Sequence, residues 1–178
     1  GLAIRCPAGI LIHTGDFKID TTPVDGDMID LTRFAEYGKK GVLALFQDST
    51  NAERPGYTMS EKTVGESFVN LFQKAGKRRI VVATFASNIH RVQQIIDVAQ
   101  QSKRKVAVVG RSLENLVQVG EELGYLNVPK NILINIDNIK NYEDENLVII
   151  TTGSQGEPMS ALTKMAYGEH RKVAVTPN

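Results

Sequence analysis

Two aspartates stand directly after apolar runs: GILIHTGD ends on Asp16, and GVLALFQD ends on Asp48. A carboxylate at the mouth of a strand can bind a metal ion or orient a metal-bound histidine. A third stretch, TTGSQGEP at 151–158, sets a glycine-rich turn between an apolar strand and a helix expected to start at Pro158. Such turns are where phosphates are held. Metal chemistry beside phosphate recognition points to phosphoester hydrolysis.

Each motif also has a plainer reading. An aspartate after a strand is more often a turn residue or a helix N-cap than a ligand. Asp48-Ser49-Thr50 fits an Asx-turn closing a strand. His13 lies three residues before Asp16, so strand alternation does not place both on one face. The three histidines, His13, His90 and His170, are far apart, and there is no HxH, HxxxH or cysteine pair. A closed metal site needs three or four ligands, and these 178 residues do not spell one out. A fourth stretch, FASN at 85–88, follows an apolar strand and precedes a helix. Ser87 or Asn88 is the natural N-cap there, and the unpaired amides of the first turn, with His90 and Arg91 beside them, suit an anion. The loop at 153–158 has neither the Gly-Lys-Ser of a Walker loop nor the spacing of a dinucleotide fingerprint.

Composition bounds the setting. The hydrophobic fraction of 42% supports a sizeable core, and a formal charge of +1 leaves no global footprint for nucleic acid. Any RNA or DNA contact would have to use a local basic patch. Basic residues cluster at 74–79 and 103–105, just before strands, and read as solvated charge. One cysteine, Cys6, permits no internal disulfide and favours a cytoplasmic setting. No apolar run approaches a membrane span. The chain opens within strand-like sequence, without an initiator Met, and closes just after another such run, so it reads as a piece of a longer protein.

The elements that must position these residues follow from periodicity. LAIRC and GILIHTG read as strands joined by a Pro-Ala-Gly turn. A helix is expected over 30–37 with Gly38 as its C-cap, and GVLALFQ as a buried strand. The Thr58–Glu61 capping-box pattern should open a helix running to about Ala75. From there the chain alternates. Strands are expected at 79–85, 105–110, 131–136, 146–152 and 172–176, and helices at 88–101, 112–123 and 158–167. Strands spaced by helices imply a Rossmann-like α/β domain, a parallel sheet with helices on both faces. The boundary falls near residue 55, with 1–55 belonging to a more β-rich layer and 56–178 to the α/β domain.

HTGDFKID, GVLALFQDSTNAERPGYTMSE, ATFASNIHRVQQII and TTGSQGEPMSAL together resemble bacterial ribonuclease J, over essentially the whole chain. This family joins a metallo-β-lactamase fold to a β-CASP domain. The resemblance implies a partial metallo-β-lactamase-like segment at 1–55 and a β-CASP domain at 56–178. It implies a two-zinc ribonuclease with 5′-to-3′ exonuclease and endonuclease activity in RNA maturation and decay, ribosomal RNA processing included, favouring 5′-monophosphorylated RNA. It also implies assembly as a homo-oligomer or with a paralogue. Asp16 matches the aspartate that bridges the two metals, and Asp48 an acidic residue supporting the catalytic centre. Ser87, Asn88, Ile89 and His90 match the region at the RNA 5′ end, and Gly153, Ser154, Gln155 and Gly156 a loop facing the same cleft. The remaining histidine motifs would lie outside these residues, so the fragment alone is expected neither to hold zinc tightly nor to cleave RNA. The competing readings are a non-catalytic Rossmann-like phosphate- or nucleotide-binding domain and a structural paralogue of the nuclease.

Overall fold

The computed structural model describes residues 1–24, 26–173 and 175. The chain divides into two compact units, Gly1–Thr63 and Val64–Asn178.

In the first unit, β1 (Leu2–Cys6) and β2 (Gly9–His13) form an antiparallel hairpin, with Cys6 opposite Gly9 and Leu2 opposite His13. After α1 (Leu31–Lys40), β3 (Ala44–Phe46) joins β2 in parallel, with His13 opposite Phe46. Helix α1 runs past its expected end at Gly38. It stops at Gly41, whose φ of 85° takes the chain out of helical geometry and whose N–H donates to Gly38 O at 3.2 Å. The run expected as a buried strand is short and open: Leu43, Leu45 and Phe46 are each more than half exposed. A continuous apolar run signals a strand, but burial needs a layer over it, and none covers these side chains among the described residues.

Helix α2 (Glu61–Ala75) begins later than the capping-box pattern implies. Thr58 makes no cap. Asp20, forty-one residues earlier, accepts from the Glu61 N–H at 3.2 Å, and Ser60 Oγ accepts from the Lys62 N–H at 3.2 Å. The local Ser60 and the distant Asp20 together take the capping role expected of Thr58. The backbone N–H of Thr22, the Ser60 hydroxyl, the Glu61 N–H and the charge of Lys18 together hold the Asp20 carboxyl below its ordinary value, against a smaller effect of burial. At neutral pH it stays ionised at the positive end of the helix.

The second unit is built on four parallel strands in the order β4 (Ile80–Ala83), β7 (Leu147–Thr151), β5 (Lys105–Val109), β6 (Leu133–Ile134). Phe68 and Phe72 of α2, Val92, Ile95 and Ile96 of α3 (Ile89–Gln101), and Leu113 and Val117 of α4 (Arg111–Glu122) pack with Val106, Val148 and Ile150. Ala107, Val109 and Ile149 instead pack with Ile139 and with Met165 of α5 (Ala161–Ala166). Successive strand residues point to opposite faces, so the sheet is covered on both sides, as the strand–helix alternation implies.

Three expectations shift. The strand at 131–136 shrinks to Leu133–Ile134 because Asn135 accepts from the Asp137 N–H at 2.8 Å and starts a 3₁₀ turn at Ile136. The helix expected from Pro158 starts only at Ala161, capped by Ser160 Oγ, which accepts from the Thr163 N–H at 3.2 Å. The strand expected at 172–176 falls partly on Ala174 and Thr176, outside the described residues.

The basic stretch at 103–105 is not simply solvated charge. Arg104 is buried, 6% exposed, and its guanidinium donates to Gly76 O at 2.7 Å, Arg78 O at 2.9 Å and Leu147 O at 3.4 Å. It clamps the turn between α2 and β4 to the first residue of β7. Lys105 Nζ donates to Asn131 O at 2.6 Å. Replacing Arg104 by alanine leaves three carbonyls without their donor, and charge-assisted hydrogen bonds of this kind are worth about 1.5–3 kcal/mol. Urea denaturation of Arg104→Ala is expected to show a loss of about 3 kcal/mol. A change under about 0.5 kcal/mol would return Arg104 to the class of surface charges.

Candidate functional site

In a parallel sheet every strand delivers the chain to the same edge. Here that edge carries the residues after Ala83, Val109 and Thr151. The chain leaving β4 and β5 enters α3 and α4 on one face, whereas the chain leaving β7 enters α5 on the other. Crevices open beside β7 where the direction reverses, which is where open α/β sheets bind ligands.

The crevice at the ends of β4 and β7 has a volume of about 340 Å³ and is lined by Thr84, Phe85, Ser112, Gly153, Glu157 and Ser160, among others. Thr84 is the first residue after β4. Its N–H donates to Thr151 O at 2.9 Å, continuing the ladder and turning its side chain inward. Thr84 is 2% exposed, and its Oγ1 has no hydrogen-bond partner among the described residues. Leaving a buried hydroxyl unpaired costs about 1–3 kcal/mol, so native proteins keep few of them.

The loop after β7 is braced by its own bonds. Gly156 N donates to Gly153 O at 3.1 Å, Leu162 N to Thr152 O at 3.2 Å, and Ser160 N to Glu157 O at 3.2 Å. The Thr163 hydroxyl donates to Glu157 O at 3.0 Å, and Glu157 Oε2 accepts from the Gln155 N–H at 3.0 Å.

Of the residues singled out near this edge in the sequence, Gly153 lines the crevice. Ser154, Gln155 and Gly156 are exposed on the turn. Asn88 is the N-cap of α3, its Oδ1 accepting from the Arg91 N–H at 3.0 Å. Ser87 and His90 are exposed, and Ile89 packs against the larger core cluster. Thr84, Ser112 and Ser160 were missed, while Phe85 and Glu157 fall within the FASN and 153–158 stretches without having been named as site residues. The one sequence signal for Thr84 is its place as the first polar residue after IVVA.

The first unit places Asp16 and Asp48 beyond the carboxyl ends of adjacent parallel strands, β2 and β3. Thr14 joins the two exits: its N–H donates to Phe46 O at 2.9 Å, and its Oγ1 accepts from the Asp48 N–H at 3.2 Å. Asp16 is exposed. Asp48 forms the Asx-turn, Oδ1 accepting from the Thr50 hydroxyl at 2.7 Å and the Thr50 N–H at 3.0 Å. Those two bonds, the hydroxyl first, hold the Asp48 carboxyl below its ordinary value and keep it ionised at neutral pH. His13 Nδ1 accepts from the Gly15 N–H at 3.0 Å, and its ring stacks on Phe46. Among the described residues no three His, Cys, Asp or Glu side chains gather into a metal-binding group. None of their helices is long and apolar enough to cross a membrane.

A family model described as "Ribonuclease J, beta-CASP domain" matches residues 77–178. Ribonuclease J of Synechocystis is 48% identical over 174 residues, covering 98% of this chain and 27% of the relative. Ribonuclease J of Thermus thermophilus is 45% identical over 177 residues, covering 99% of this chain and 30% of its own length. Ribonuclease J2 of Bacillus subtilis is 41% identical over 175 residues, with 98% and 31% covered. The chain thus spans between a quarter and a third of the length of these curated relatives.

Proposed function

Because this chain belongs to the ribonuclease J family, we propose that it is the part of a ribonuclease that receives the 5′ end of an RNA strand and contributes a carboxylate to the catalytic centre. Residues 1–55 are the proposed metallo-β-lactamase-like segment and residues 56–178 the β-CASP domain. The observation that carries the 5′-end reading is Thr84, which lines the crevice beside Gly153 and whose buried hydroxyl has no hydrogen-bond partner among the described residues. A phosphate there takes a hydrogen bond from that hydroxyl, and Ser112 and Ser160 stand on the same walls. Ser87 and the exposed 154–156 turn would contact the strand as it leaves the crevice, with Asn88, Ile89 and His90 in the first turn of α3 supporting that surface. A 5′-monophosphate is compact and fits better than a triphosphate. Holding the end fixed sets which phosphodiester reaches the catalytic centre, and this favours 5′-to-3′ removal. Internal cleavage does not need that grip.

Zinc, two ions in the intact protein, would supply an activated water and polarise the scissile phosphate. The described residues do not by themselves fit such a centre, because Asp16 is one carboxylate and zinc takes three or four protein donors. Asp16 is the proposed donor from this chain. Asp48, ionised and fixed by Thr50, is the proposed orienting carboxylate. RNA maturation and decay, ribosomal RNA included, in the cytoplasm, and assembly as a homo-oligomer or with a paralogue, complete the proposal.

Purified full-length protein is expected to degrade single-stranded RNA and to stop when a chelator strips its metal. Intact RNA after prolonged incubation with metal-loaded protein would sink the ribonuclease reading. The 178-residue chain alone is expected to bind zinc weakly. Titration calorimetry on folded chain would contradict this if it gave a tight one-to-one site that Asp16→Ala abolishes.

A further inference from the structure

The basic clusters visible in the sequence precede β4 and β5, so they sit at the amino ends of the strands. A different set of cations, scattered in the sequence, meets at the carboxyl ends. There a second cavity, of about 680 Å³, is lined by Val109 and Gly110 after β5, Thr152 after β7, and by Arg111, Lys164, His170, Arg171 and Lys172. Lys172 pairs with Asp137. Arg111, Lys164 and Arg171 have no ion-pair partner among the described residues. Two carboxylates also line the cavity, Glu114, whose Oε1 accepts from the Gly110 N–H at 3.3 Å, and Glu169, and the three cations without an ion-pair partner outnumber them.

Two further features favour an anion. Helix α4 opens here at Arg111, and its N-cap, Gly110, offers no side chain to the first amides. His170 Nδ1 accepts from the Val173 N–H at 3.1 Å and the Lys172 N–H at 3.4 Å, so the neutral ring carries its proton on Nε2 as a donor. Burial, and then the charges of Lys164 and Lys172, hold that imidazole below its ordinary value. Unpaired like charges around a concavity repel one another, and an anion there relieves all of them at once.

We propose that this cavity is a phosphate site distinct from the crevice between β4 and β7. It takes a phosphate ester, either from an RNA backbone or from a free nucleotide. Thr152, Met159 and Ser160 line both cavities. A strand seated by its 5′ end in the first therefore has its following phosphates beside the second. The RNA source rests on the ribonuclease reading, whereas the phosphate site itself does not.

The test uses the full-length protein and a variant carrying Arg111→Gln, Lys164→Gln and Arg171→Gln. The first arm measures binding of a cleavage-resistant 5′-hydroxyl oligoribonucleotide across a salt series. Lacking a 5′-phosphate, this RNA makes the result independent of the 5′-end pocket. The dependence of log affinity on log salt is expected to flatten by about two units, three cations at roughly 0.7 each, with the loss equal across RNA sequences. The second arm titrates adenosine monophosphate and inorganic phosphate. Weakened RNA binding supports the backbone source. Loss of nucleotide or phosphate binding with RNA binding intact supports the free-ligand source. Unchanged behaviour in both arms, with matched thermal melts, overturns the site. If the triple variant does not fold, Lys164→Gln alone is read the same way, with a flattening of about 0.7.

Discussion

Asp16→Ala in the full-length protein is expected to reduce RNA cleavage by at least about a hundredfold and to lower its metal content, without destabilising the fold. Asp16 is exposed and makes no hydrogen bond or ion pair among the described residues. Removing such a side chain changes stability by no more than about 0.5 kcal/mol. Its place in the fold is nevertheless distinctive. It follows β2 by three residues, Thr14 links this exit to that of β3, and Asp48 stands at the neighbouring exit. A carboxylate beside the exits of two adjacent strands, yet unused by the fold, is available as a ligand. Cleavage rate, metal content by elemental analysis and thermal melting decide the matter together. Full activity with an unchanged melt would remove Asp16 from the mechanism. Lost activity with a large fall in melting temperature would make it a structural residue.

Gly153→Ala is expected to destabilise the second unit by about 3 kcal/mol and to disrupt the crevice between β4 and β7. The backbone at Gly153 has φ of 112°, a conformation that L side chains rarely adopt. A Cβ built there would stand 2.4 Å from Ser160 Oγ and 2.9 Å from Leu162 Cβ. Left-handed backbone with a side chain costs about 1–2 kcal/mol, and overpacking adds about 1–3. Ser160 cannot simply swing away, because its hydroxyl accepts from the Thr163 N–H and donates to Thr163 Oγ1 at 2.9 Å. Urea denaturation checks the size of the loss. A variant as stable as the parent would mean that the loop relaxes freely and that the crevice walls are soft.

The sheet was the most legible part of the sequence. IVVA, KVAVV and LVIIT are short apolar runs separated by amphipathic helices, and that alternation favours a parallel sheet with helices packed on its faces. Helix ends were less legible because capping was decided by contacts. Asp20 reached Glu61 from far away, and Ser160 rather than Pro158 set the start of α5. The exposure of Leu43, Leu45 and Phe46 could not be read either, since a strand's pattern does not say whether a second layer covers it. At the candidate site, the glycine-rich loop and both aspartates stood out by type and position. The crevice lining did not, because Thr84, Ser112 and Glu157 meet only when β4, β5 and β7 bring their exits together. The basic cavity was invisible for the same reason. Lys164 and Arg171 come from one side of the sheet and Arg111 from the other, whereas the visible cluster held Arg104, which the fold uses internally.

We propose that this chain holds the 5′ end of RNA for a ribonuclease through the Thr84–Gly153 crevice. The most direct measurement compares mononucleotide release by the full-length protein from one RNA carrying either a 5′-monophosphate or a 5′-hydroxyl. Thr84→Val serves as the isosteric variant that removes only the buried hydroxyl. The expected result is faster release from the 5′-monophosphorylated RNA, a preference that Thr84→Val reduces by roughly tenfold, the loss of one charge-assisted hydrogen bond. Internal cleavage should change little. Equal rates on the two RNAs, or a preference that survives Thr84→Val intact, would contradict the account.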